Sequence, residues 1–189
     1  MVVGDKQGGE TASRLAAQWS ETCAKIDHLR KLVGRLKFKH VVRNVFDNIA
    51  TMITIDEVAN NVSVYQEVRS SLLSAPWKEQ YSSQVSYYLK LAGANMRLFR
   101  AFGDDFLHIN GKALLADPQG VLRNVCGFLN VPFSDQWAAT SAAKLCHEPF
   151  PARERFVWPQ SVVNLIQSTL TMTPYIDLLQ LPSKITPVQ

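Results

Sequence analysis

Along the chain, hydrophobic positions switch several times between the two-residue repeat of a strand and the 3.6-residue repeat of a helix. Met1, Val2 and Val3 before Gly4 predict a short strand; a glycine-bearing turn follows, and Thr11 to Trp19 is helix-competent. Ile26, Leu29, Leu32 and Val33 fall at i, i+3, i+6 and i+7, which predicts an amphipathic helix with that stripe packed inward and Gly34 as its stop. Leu36 to Arg43 alternates and then turns apolar, as expected of a strand entering a covered parallel sheet. Helical spacing resumes from Phe46 to Ile53, so strand, turn and helix follow one another a second time.

From Asp56 to Gln84 the pattern loosens around paired serines and Pro76, and the segment reads as helical pieces with a variable loop or insertion over 56–84. A stronger helix is predicted from Val85 to Phe102, with Tyr88, Leu91, Ala92, Asn95, Leu98, Phe99 and Phe102 along one face and Gly103 as its stop. Asp105 to Ile109 is a brief strand. Asp117-Pro118 opens another helix with the acidic cap and first-turn proline that helices prefer, and Asn130-Val131-Pro132 ends it. Two further helices are predicted near Asp135 to Cys146 and Gln160 to Leu170, separated by a Pro149-Phe150-Pro151 loop that carries Arg153 and Arg155. Strands alternating with helices give a single α/β domain over 1–189, rich in helix, with a parallel sheet flanked by helices.

Composition supports a folded domain. Hydrophobic residues are 47% and charged residues 19% of the 189, far from the signature of disorder, and a chain of this length buries most of its surface without disulfides. Cys23, Cys126 and Cys146 form no CxxC pair and no zinc-type spacing, so no metal is expected; Cys126 and Cys146 sit in apolar patterns as buried thiols. A formal charge of +4 favours anionic partners, yet the cations are scattered and not gathered into one long run, so a small phosphorylated ligand fits as well as a polynucleotide; no nucleic-acid partner is expected. The N-terminus has neither the basic stretch nor the apolar core of a secretory signal, and nowhere do about 18 apolar residues run together. The chain as given reads as untargeted and cytoplasmic; an anchor upstream of Met1 would instead fit the Golgi. His40, His108 and His147 lack a sequence-level partner and read as structural, and no GxSxG, HExxH or GxGxxG pattern occurs.

Arg43 and Asn44 lie at the carboxyl end of a predicted strand, where open α/β sheets bind ligands. His40-Val41-Val42-Arg43-Asn44-Val45-Phe46-Asp47-Asn48-Ile49-Ala50-Thr51 resembles the 3′-phosphate motif of the P-loop sulfotransferases, in which an apolar strand runs into Arg-Asn-Pro-x-Asp and a hydroxyl follows eight residues after the arginine. Val45 stands where that family usually has proline. An arginine fork at a strand end and a hydroxyl in the following helix can both reach one phosphate through charge-assisted hydrogen bonds. Leu114 to Pro132 is similar to the family's Asp-Pro helix, and Arg153-Glu154-Arg155-Phe156-Val157-Trp158 to its late arginine-bearing loop. The resemblance implies the P-loop NTPase-like sulfotransferase fold, transfer of a sulfuryl group from 3′-phosphoadenosine 5′-phosphosulfate to a hydroxyl or amine on a small-molecule or carbohydrate acceptor, and nucleotide contacts from Arg43, Thr51, Arg153 and Arg155.

The family's 5′-phosphosulfate loop has no counterpart at the usual distance before Arg43, and three readings of Val3 to Thr11 stay open. In one, Asp5-Lys6 resembles the acid-lysine pair of the heparan-type branch, with Asp5 as base and Lys6 at the sulfonate; the loop then lies upstream of Met1 and the fold is N-terminally truncated. In another, the glycines and Thr11 are a degenerate phosphate loop, although Glu10 would repel the anion. In the plainest, the segment is a solvated turn. The sequence therefore leaves a second outcome beside the enzyme: a truncated, inactive relative that binds nucleotide or protein.

Overall fold

The computed structural model describes residue 14 and residues 17–59, 76–145 and 152–171. In chain order these form α1 (Trp19–Val33), β1 (Phe38–Val42), α2 (Val45–Ala59), a 3-10 turn at Glu79–Tyr81, α3 (Ser82–Phe102), a second such turn at Gly103–Asp105, and β2 (Phe106–Asn110). There follow α4 (Gly111–Ala116), α5 (Pro118–Leu129), α6 (Asp135–Ala142), a third 3-10 turn at Ala152–Arg155, and α7 (Gln160–Leu170). The strand predicted at Met1–Gly4, Cys146 and His147 lie outside the described residues, as do 60–75 of the predicted variable segment.

The two strands pair in parallel, Phe38 opposite Phe106 through to Val42 opposite Asn110, so the predicted helix-rich α/β fold with a parallel sheet is what forms. Pleating sends alternate side chains to opposite faces. Phe38, His40 and Val42 turn inward: Phe38 stacks on Phe102 of α3 at 5.4 Å, and Val42 joins the core around α2, while Lys39 and Val41 are exposed.

Two apolar clusters hold the fold. The larger surrounds α2, where Val45, Phe46, Ile49, Ala50 and Ile53 are all sealed from solvent; it takes Tyr81 from the turn before α3, Val85 and Ala92 from the first half of α3, Ala152, Phe156 and Trp158 from the late loop, and Val163, Ile166 and Leu170 from α7. The smaller joins Ile26 of α1 to Leu98, Phe102 and Phe106. With 21 residues, α3 is about 30 Å long at 1.5 Å per residue and serves both clusters, one at each end.

Helix α1 departs from expectation. It ends at Gly34 as predicted, with φ at 77° and the glycine N–H donating to the Arg30 carbonyl, but the inward stripe is Thr22 and Ile26 continued by Arg30. Arg30 pairs with Asp105 and lies over the Phe102 ring. Leu29, Leu32 and Val33 remain 46%, 68% and 61% exposed. A polar residue that anchors one end of a buried face is invisible to hydrophobic periodicity, which here chose the neighbouring face.

Asp117 caps α5 by accepting from the Gly120 N–H at 2.9 Å, with Pro118 in the first turn, and Asn130 ends it in the left-handed conformation, as the sequence signals required. Cys126 is buried on this helix. Among the described residues no helix is long and apolar enough to cross a membrane.

His40 and His108 sit opposite one another across the two strands, their Nδ1 atoms 3.1 Å apart. Asn95 Nδ2 of α3 approaches His40 Nε2 at 3.3 Å, and since an amide nitrogen only donates, His40 must carry its proton on Nδ1 and donate to His108. That chain works only while both rings are neutral. Burial first, then the neighbouring His108, pushes the His40 pKa down to about 4; burial lowers His108 as well. An unfolded His40 titrates near 6.5, so the unfolded chain takes up the proton first, and the pair's contribution to stability is complete above about pH 6.5 and lost between there and 4. Thermal midpoints measured across that window should fall with pH, and His40→Gln should shrink the fall; an equal fall in the variant would contradict the neutral pair.

Candidate functional site

Only Arg43 and Asn44 separate β1 from α2, so the strand feeds its helix through the tightest of turns. The buried Asn44 makes that possible: its Oδ1 accepts from the Phe46 N–H at 3.0 Å and the Asp47 N–H at 3.2 Å, satisfying two donors that the first turn of a helix leaves without partners. The end of β2 repeats the device, with Asn110 Oδ1 accepting from Lys112 N at 2.9 Å and Ala113 N at 3.1 Å at the start of α4. Both strands therefore hand over to a helix at the same sheet edge through an asparagine cap.

Arg43 stands at that edge, exposed, with no ion-pair partner among the described residues. Its stem lies against Gly111, where an added Cβ would come within 3.1 Å of both Arg43 Cγ and the Val42 carbonyl. The glycine at the end of β2 thus leaves room for the arginine at the end of β1. Thr51 is half-buried, six residues into α2 and so about 9 Å along its axis from Val45 at 1.5 Å per residue. Its hydroxyl donates to the Asp47 carbonyl at 2.7 Å, a bond it must give up to donate to a ligand.

The late loop docks directly on this turn. Asp47, buried in the first turn of α2, accepts from the Arg153 backbone N–H at 2.9 Å through Oδ1 and from its guanidinium at 2.7 Å through Oδ2. The Trp158 indole N–H donates to the Arg153 carbonyl at 2.8 Å, and the Trp158 ring meets Phe46 edge to face at 4.9 Å. Arg155 is buried with its guanidinium 3.4 Å from the Thr54 hydroxyl on the same helix. Of the residues singled out in the sequence, Arg43 and Arg153 flank the first turn of α2, Thr51 lies on its second turn, and Arg155 is turned in against Thr54. Asp5 and Lys6 lie outside the described residues. Asp47, Asn44 and Gly111 were not singled out for these roles. An asparagine followed three residues later by an acid, where a strand becomes a helix, was the signal available for the first two.

The arrangement offers one exposed cation at the positive end of a capped helix and a second, half-buried guanidinium clasped nearby, a geometry suited to an anion. No group of three or more histidines, cysteines or carboxylates that could hold a metal ion occurs among the described residues.

The sequence matches the model of the sulfotransferase family over residues 6–135, well over half of its length, and the chain belongs to that family. No curated protein and no solved structure matches it. Sulfuryl transfer from a sulfate donor is the role that membership carries in general terms. The matched span includes β1, the Arg43 turn and α2, and ends before the Arg153 loop.

If the Asn44 cap fixes the strand-to-helix turn as its geometry requires, Asn44→Ala should cost about 1–2 kcal/mol of unfolding free energy, read from chemical denaturation. A loss below a few tenths would show that other contacts hold the turn.

Proposed function

We propose that this protein transfers a sulfuryl group from 3′-phosphoadenosine 5′-phosphosulfate to a hydroxyl or amine on a small-molecule or carbohydrate acceptor. The observation that carries the reading is the turn from β1 into α2. A family match spans it, and it presents an exposed guanidinium without an ion-pair partner among the described residues beside a helix whose first donors are already capped. A dianionic phosphate fits that donor set, because an arginine fork meets phosphate oxygens with two parallel bonds.

In this reading Arg43 binds the 3′-phosphate, Thr51 adds its hydroxyl after releasing the Asp47 carbonyl, and Arg153 contributes the guanidinium hydrogens that Asp47 leaves free. Arg155, held under the loop, supports it from within. The donor supplies an activated sulfur atom. Asp5 takes the proton of the acceptor's hydroxyl or amine as the new bond to sulfur forms. Lys6 balances the charge that gathers on the oxygen between phosphorus and sulfur as the old bond breaks. These last two roles rest on the resemblance of Asp5-Lys6 alone.

Binding of 3′-phosphoadenosine 5′-phosphate, followed by calorimetry, separates nucleotide recognition from turnover. Arg43→Ala should weaken it by about 1.5–3 kcal/mol, or roughly 10- to 150-fold, the usual worth of a charged hydrogen bond; undiminished affinity would remove Arg43 from the site. A parallel assay of sulfuryl transfer decides between an enzyme and a relative that retains binding without catalysis.

A further inference from the structure

Asp47 plays no part in the proposed transfer, yet it is one of few buried charged side chains among the described residues, and it spends both oxygens on a single residue 106 positions away. Arg153 is fixed at three points: its N–H and its guanidinium by Asp47, its carbonyl by the Trp158 indole. Among the described residues nothing comparable holds Glu154, whose carboxylate lies 3.8 Å from Arg153 and is exposed. A long, flexible cation normally surrenders rotamer freedom when it binds, and a carboxylate that has already ordered it removes that cost from the binding step.

We infer that Asp47 is a positioning residue for the nucleotide site: it acts through Arg153, aligning that guanidinium with the phosphate held by Arg43 and tying the loop beyond the family-matched segment to the helix within it. The inference rests on the proposed nucleotide site. It goes against simple electrostatics, since a carboxylate near a phosphate repels it and its removal would raise the local positive potential. The two effects predict opposite signs, which makes them separable.

The experiment measures 3′-phosphoadenosine 5′-phosphate affinity by calorimetry for the whole chain and for Asp47→Asn, Asp47→Glu, Arg153→Gln, Trp158→Phe and the pairwise combinations with Arg153→Gln, with thermal midpoints recorded beside them. Asp47→Asn is expected to weaken binding about tenfold or more, the scale on which outer-shell partners act, and Asp47→Glu to recover part of it. With Arg153→Gln already in place, Asp47→Asn should cost no further affinity, because its effect travels through that side chain. A merely structural role would lower the thermal midpoint and leave the affinity of the folded protein unchanged or additive, and would overturn the inference; tighter binding by Asp47→Asn would overturn it too. Should Asp47→Asn fail to fold, the cycle of Trp158→Phe with Arg153→Gln reads the same alignment from the other side, and strict additivity there counts against it. If the unaltered chain does not bind the nucleotide, or Arg43→Ala does not weaken it, the proposed site itself is wrong.

Discussion

A carboxylate withdrawn from water at the start of a helix has to be answered by a positive charge, and among the described residues Asp47 is answered by Arg153. The pairing uses both carboxylate oxygens and both the backbone and the side chain of its partner, so it fixes a segment as well as a charge. Around it the core is arranged to match: Phe46, one residue before Asp47, meets Trp158, five residues after Arg153. Each half of this contact would be poorly placed without the other. Hydrogen bonds to charged groups of this sort contribute about 1.5–3 kcal/mol, a large share of the stability of a domain this size.

The surrounding fold makes the turn rigid. Both strands hand over at the same edge to a helix capped by an asparagine, and the glycine after the second strand gives the arginine after the first its room. One face of β1 meets both clusters, Phe38 against Phe102 of α3 and Val42 in the core around α2. A parallel pair of strands with a crossover between them puts chemically useful side chains at the carboxyl end because that is where the chain leaves the sheet.

Much of this was readable from residues. The limits of α7 and the cap and stop of α5 follow from local signals and stand as expected, and β2 is displaced by one residue. Local signals fail where a contact is distant. Arg30 turned α1 by pairing with Asp105, so the stripe chosen by hydrophobicity faces out. Helix α4 is six residues long, too short for a periodic pattern to register. The pairing of His40 with His108 left one faint mark, a Phe-x-His spacing shared by Phe38-Lys39-His40 and Phe106-Leu107-His108, which identifies partners only once the two strands are known to run side by side in register. The place of Arg43 between a strand end and a helix start was legible because strand, asparagine and helix are contiguous; the partner of Asp47 was not, since nothing local to either residue points across 106 positions.

The family-matched segment stops at residue 135, yet the wall that closes the larger cluster is built from Ala152, Phe156, Trp158, Val163, Ile166 and Leu170. The stretch that matches the family and the stretch that closes this core are therefore not the same length. Cut at the border of the recognisable stretch, α2 would keep its sequence while losing its cover, leaving a greasy helix and a stranded negative charge open to water. What marks this chain as kin to its family depends, for its shape, on residues that lie beyond the matched stretch.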